Sequence, residues 1–261
     1  MDSLYFLVNA LESRYVEKKD YLSRYTHERV LALREARPIQ AVENGPDRAG
    51  SRKKTKEDLR RFIPFLSAEC RVEFRGRILE IGAGGAWLSA ELSKLPRVVE
   101  VVTTDLSPRL LKEEAPRTFK LLNAHTAKIT RMPGDFHKLD FPDKYFDFVV
   151  CSAVLHDAAN LLQVLREAKR VLKPGGRLVA IREPISPRVT FRSGKRKKSR
   201  PEKAIPRGYT LSHYKEFFKH AGLPVQVKRV NLSTGFKYYL NKMVNGLTHA
   251  RYAFIAKRNS A

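Results

Sequence analysis

The sequence predicts an α/β fold, a mostly parallel sheet with helices on both faces, on three observations. From Gly76 onward strand-like runs alternate with helical patterns, the texture of a sheet built with crossover helices. The strand candidates are nearly continuous apolar runs, as burial on both faces requires. One of them, ending at Ile81, runs directly into a glycine-rich turn that opens a helix, where unpaired N–H groups face a ligand.

Residues 1–36 contain no Gly or Pro, and Leu4, Val8, Leu11, Tyr15, Leu22, Tyr25, Arg29 and Leu33 follow helical spacing with mostly apolar members, which predicts one or two amphipathic helices. Residues 38–56, with Pro, Gly and the basic cluster Arg52, Lys53, Lys54 and Lys56, read as a solvated linker. A second helix follows over 56–69. Strands are expected over 77–81, 98–103, 129–132, 146–151 and 177–181, with helices over 86–95 and 159–172 between them. After Glu183 a proline-containing, strongly basic stretch is too polar for core. Order returns with a helix over 211–221 and strands over 225–230 and 251–256. The expected division is an N-terminal helical extension and linker, 1–57, then a sheet domain, 58–261, with a basic insertion at 184–210.

With 261 residues, 43% of them hydrophobic and 30% charged, the chain has material for a real core, and disordered, collagenous and coiled-coil classes fit poorly. Its two cysteines, Cys70 and Cys151, form neither a metal quartet nor a disulfide framework and point to a reducing compartment. The apolar run Leu4 to Val8 is too short for a signal peptide or a membrane span, so a cytoplasmic protein with no transmembrane segment is expected. Charge is distributed unevenly: of a net +24, residues 181–261 carry 19 basic against 3 acidic side chains. Such an excess points to an anionic partner, whether RNA, a phospholipid surface touched peripherally or a phosphorylated small molecule. The oligomeric state is not legible.

The strongest motif is Leu79-Glu80-Ile81-Gly82-Ala83-Gly84-Gly85-Ala86. A dinucleotide fingerprint needs glycine at position 87, where Trp87 stands, so a nicotinamide or flavin reading loses its support. Glu80 on the first strand and Asp105 at the tip of the second fit another nucleoside ligand, since a carboxylate at that tip accepts both ribose hydroxyl protons.

Between Gly76 and Ile181 the chain resembles the class I S-adenosylmethionine-dependent methyltransferases, in the broad group that includes quinone-biosynthesis C-methylating enzymes. Five elements in order carry the resemblance: Glu80-Ile81-Gly82-Ala83-Gly84; Asp105 after an apolar strand; Gly134-Asp135 followed by Leu139-Asp140-Phe141-Pro142; Phe146 to Ser152; and Val171-Leu172-Lys173-Pro174-Gly175-Gly176-Arg177. The resemblance implies a Rossmann-like sheet of seven strands with the last antiparallel, and S-adenosylmethionine as cofactor. By it Gly82, Ala83 and Gly84 lie under the methionine part, Asp105 holds the ribose, Leu106 borders the adenine, Asp135 accepts from the adenine amino group beside Phe136, and Cys151 and Ser152 close the site. Ala86 replaces the usual third glycine.

Methyl transfer is an in-line displacement that depends more on alignment than on proton chemistry, which accounts for the lack of a visible triad. His156, in the loop after the fourth strand, has two readings: a base for the acceptor's proton, or a ring that packs over the cofactor or hydrogen-bonds locally. Cys151-Ser152-Ala153-Val154 replaces the Asn/Asp-Pro-Pro-aromatic run of exocyclic-amine methylases, and Val150 rather than proline precedes Cys151, against a cytosine-C5 thiolate. No His/Cys/Asp group has metal-ligand spacing. The first expectation is a methyltransferase acting on an anionic or lipid-like small molecule; the alternatives are a tRNA or rRNA methyltransferase using the basic last third, and a non-catalytic cofactor-binding scaffold.

Overall fold

The computed structural model describes residues 14–15, 60–185, 209–232 and 251–259. Eight strands form one sheet: β1 (Arg14–Tyr15), β2 (Gly76–Ile81), β3 (Val98–Asp105), β4 (Ile129–Pro133), β5 (Phe146–Ser152), β6 (Leu172–Pro184), β7 (Val225–Arg229) and β8 (Arg251–Lys257). Their order is β1-β4-β3-β2-β5-β6-β8-β7. All neighbours run parallel except β8, which is antiparallel to both β6 and β7. Apart from the two-residue β1, this is the expected seven-stranded sheet.

Alternate residues of each strand feed two cores, because successive side chains point to opposite faces. On one face Leu79, Ile81, Val149, Leu178, Ala180 and Phe254 meet α4 (Leu161–Val171) and α5 (Leu211–His220). On the other, Ile78, Val101, Val150, Val179 and Ile255 meet the helix α1 through residues 60–70, α2 (Trp87–Ser93) and α3 (Ala115–Leu122). Each fully buried Leu, Ile or Phe contributes about 1.5–3 kcal/mol. α4 shows why this sequence is a helix there: Leu161, Val164, Leu165, Ala168 and Val171 form its buried stripe. Asn160 caps its first turn by accepting from Gln163 N, and the guanidinium of Arg258 donates to the carbonyls of Lys169, Arg170 and Leu172 at its end.

Three expectations change. Helical spacing around Tyr15 predicts a helix, yet Arg14–Tyr15 is a strand, paired in parallel with Thr130 and Arg131 of β4. An open sheet edge supplies backbone partners that outweigh spacing; the rest of 1–57, the linker included, lies outside the described residues. β6 runs from Leu172 to Pro184, well beyond both ends of the expected 177–181. α3, continuous with a π-helical stretch over Leu110–Glu114 and carrying Pro116 as its second residue, had no range among the expected helices. The basic run at 195–200 lies outside the described residues.

Candidate functional site

The carboxyl ends of β2, β3, β4 and β5 converge on one edge, where Gly82 to Gly85, Leu106, Gly134, Ser152, Ala153 and His156 are all half-buried above a fully buried floor. In an open parallel sheet this is where ligands bind.

After β2 the chain turns through Gly82 and Gly84, whose φ values of 62° and 55° lie in the left-handed region that glycine adopts without penalty. Ala86, in place of a third glycine, adopts φ 57° and caps α2. A Cβ at Gly82 would stand 2.6 Å from Cγ1 of Val154, so the turn lies directly against the loop after β5. A Cβ at Gly84 would meet nothing within 4 Å: this part of the turn faces open space. Two buried carboxylates hold the turn from beneath. Asp105, fully buried, accepts Gly84 N at 2.8 Å on Oδ2 and Ser107 N at 2.9 Å on Oδ1. Glu80 accepts Ser89 N at 2.9 Å and the Ser89 hydroxyl, which in turn meets the hydroxyl of Thr103. Burial, aided by the Asp105 charge, pushes the Glu80 carboxyl up to about 7 against the pull of the Ser89 bonds. Glu80 therefore supports the turn from within, and neither carboxylate is at the surface.

Beyond β4, Asp135 turns on itself: its Oδ1 accepts His137 N at 2.8 Å and ring Nδ1 at 2.9 Å. Asn160 N donates to His137 Nε2 at 3.3 Å, which fixes the His137 proton on Nδ1. Phe136 and His137 lie with ring centroids 4.7 Å apart. His137 thus orients the carboxylate expected at the adenine, a role the sequence did not suggest; the available signal was an Asp two residues before it, the spacing of a side-chain turn.

At the end of β5, Cys151 is fully buried in the core, and burial, with the charges of Glu183 and Glu80, holds its thiol well above the usual range. That environment is inert. The Ser152 hydroxyl is buried without a hydrogen-bond partner among the described residues. The next loop, with Ala153 left-handed at φ 56°, carries Val154 against the glycine turn and His156 beyond it. Glu183, absent from the sequence-predicted site, is fully buried at the end of β6 and gathers this loop: it accepts Val154 N, Leu155 N and His156 N, and its Oε2 lies 3.2 Å from His156 Nδ1.

These residues fit S-adenosylmethionine. Gly84 leaves open space for a closely approaching chain, the Ser152 hydroxyl at the same edge is buried without a protein partner among the described residues, and the Asp105 and Asp135 carboxylates lie buried just beneath. Among the described residues no cluster has the makings of a metal site, and no helix is long and apolar enough to cross a membrane.

Residues 79–180 match the methyltransferase domain family. A demethylmenaquinone methyltransferase of Deinococcus radiodurans is 32% identical over 118 residues, 45% of this chain and 47% of that protein. The ubiquinone/menaquinone biosynthesis C-methyltransferase UbiE of Pseudomonas fluorescens is 36% identical over 124 residues, 47% of this chain and 46% of that protein. The chain spans about half the length of the curated relatives it matches. Among solved structures, an S-adenosylmethionine-dependent methyltransferase from Mesorhizobium loti superposes with a TM-score of 0.55 at 19% identity, over 76% of this chain and 98% of that one, a likeness of fold.

Proposed function

We propose that the chain is a class I S-adenosylmethionine-dependent methyltransferase, as the methyltransferase-domain match over residues 79–180 supports, and that it methylates an anionic or lipid-like small molecule at the carboxyl edge of its sheet. When bound, S-adenosylmethionine supplies an electrophilic methyl carbon on a sulfonium. The observation that carries the proposal is the contact of Gly82 with Val154, which sets the glycine turn directly beside the loop bearing His156. Gly82, Ala83 and Gly84 cradle the methionine part. Asp105, which accepts Gly84 N and Ser107 N from beneath the turn, is the acceptor for the ribose hydroxyls. Asp135, oriented by His137, faces the adenine amino group, with Leu106 and Phe136 at the ring. Aligning the acceptor in line with the methyl supplies much of the rate, and His156 takes the proton the acceptor loses. The relatives named above are a demethylmenaquinone methyltransferase and a ubiquinone/menaquinone biosynthesis C-methyltransferase, which supports the lipid-like acceptor.

A second reading, methylation of RNA, is favoured by the 19 basic and 3 acidic residues of the last third. The two readings separate when the full chain is incubated with methyl-labelled S-adenosylmethionine and cell extract fractionated into RNA, lipid and small-molecule pools, with chemically reduced demethylmenaquinone as a defined probe. Label in the lipid or small-molecule pool is expected. Label in RNA alone, lost steeply as salt is raised, establishes the second reading instead, and label in no pool defeats both.

A further inference from the structure

Glu183 occupies its place through an irregularity of β6. In a regular strand it would point to the face of Val179 and Ile181. Across the pair with β8, however, Ala180 stands opposite Phe254 and Glu183 opposite Tyr252, so β6 carries one residue more than its partner. Arg182, at φ 62°, sits within this bulge in a backbone conformation that costs a non-glycine residue about 1–2 kcal/mol. The extra residue turns Glu183 to the opposite face, that of Leu178 and Ala180.

There its two oxygens divide the loop between them. Oε1 accepts Val154 N at 2.9 Å and Leu155 N at 3.1 Å; Oε2 accepts His156 N at 3.3 Å and lies 3.2 Å from ring Nδ1. Tyr214 of α5, fully buried, closes the pocket from the helix side, its hydroxyl held above its usual range by burial first and by the Glu183 charge next. On the outer side of the ring, Nε2 lies 3.5 Å from Oδ1 of Asp157. The Glu183 contact is the shorter of the two and its carboxylate end is fully buried, where a charge-assisted hydrogen bond is strong.

We propose that Glu183 is a positioning residue, which holds the 154–156 loop against the glycine turn and fixes the His156 proton on Nδ1, leaving Nε2 as the basic atom that serves the acceptor. This rests on the methyl-transfer reading above. In the step it serves, the acceptor's nucleophile bonds to the methyl carbon as the carbon–sulfur bond breaks, its electron pair staying on sulfur. The proton leaving the acceptor goes to Nε2, and the imidazolium so formed is stabilised through Nδ1–H by Glu183, then returns its proton to solvent.

Glu183→Gln tests the assignment, because its amide oxygen still accepts from Val154 N and Leu155 N while its NH2, in the place of Oε2, no longer accepts from His156 N and donates to Nδ1, driving the ring proton to Nε2. The ring nitrogens of His156 are read by long-range 1H–15N NMR on the full 15N-labelled chain at pH 8, assigned by comparison with His156→Gln. The neutral ring with its proton on Nδ1 is expected in the native protein and on Nε2 in Glu183→Gln. A native ring protonated on Nε2 or on both nitrogens overturns the proposal. Label transfer from S-adenosylmethionine into the accepting extract pool should fall about 100-fold or more in kcat, with S-adenosylmethionine affinity within about twofold by calorimetry. Glu183→Asp should restore the Nδ1 proton and part of the turnover. Unchanged turnover in Glu183→Gln overturns the proposal. Absence of transfer by the native protein defeats the methyl-transfer reading alone, since the tautomer is read without an acceptor.

Discussion

Two glutamates end strands of the same sheet, both buried, and they do opposite things. At the end of β2, Glu80 lies beneath the glycine turn with one backbone N–H and one serine hydroxyl for partners, and burial pushes it up to about 7. At the end of β6, Glu183 draws three backbone N–H groups and a histidine ring. The difference teaches that a buried carboxylate is defined by its donors: supplied sparingly, it holds a proton and braces a scaffold; supplied by a loop, it arranges that loop and the reactive ring on it. The two regions touch at Gly82 and Val154, and that contact is where the comparison can be broken.

Gly82→Ala should have the largest effect. The new Cβ stands 2.6 Å from Val154 and forces a left-handed alanine at φ 62°. Overpacking of about 1–3 kcal/mol and backbone strain of about 1–2 kcal/mol should add, read as a fall in denaturation midpoint. Adding Val154→Ala should recover the overpacking part and not the strain. If the double variant recovers nothing, the two regions are not in contact as described.

Glu80→Gln sharpens the other half. A carboxyl raised to about 7 when folded, from an ordinary 4.5 unfolded, binds its proton more tightly in the folded state. Stability from that proton is full below about pH 4.5 and is lost as pH rises through about 7. Glutamine mimics the neutral acid at every pH, so the variant should match the native protein near pH 4 and exceed it at pH 8 by up to about 3 kcal/mol. Thermal unfolding at the two pH values checks this; an equal gap at both contradicts a proton held by Glu80.

The smallest effect belongs to the loop after β5. Ala153 sits left-handed at φ 56°, so Ala153→Gly relieves strain at the cost of unfolded-state freedom, for a net gain of about 0.5 kcal/mol. Methyl transfer should be unchanged, because Glu183 rather than Ala153 fixes His156. A marked loss of turnover would instead place loop stiffness in the chemistry.

The sheet was legible because its strands are buried on both faces and so read as unbroken apolar runs, and the glycine turn because nothing else places three small residues after such a strand. Glu183 was not. Its role depends on one inserted residue in β6, and periodicity that stops at Ile181 gives no sign that the chain continues as a strand and changes face. His137 was hidden for another reason: its tautomer is set by Asn160, 23 residues away, through a contact only the fold creates. At Arg14–Tyr15 helical spacing was present, and the unpaired edge of β4 overruled it.

Calorimetric titration of S-adenosylmethionine into the native protein and Gly84→Leu tests most directly that this edge is the cofactor site. A side chain at Gly84 enters open space, so the variant should lose only about 1–2 kcal/mol of stability to left-handed strain. The native protein should bind with a measurable heat and Gly84→Leu with none at the same concentrations, its unfolding still cooperative. Equal binding by the two folded proteins would contradict the account, because the space at Gly84 would then not be the cofactor's.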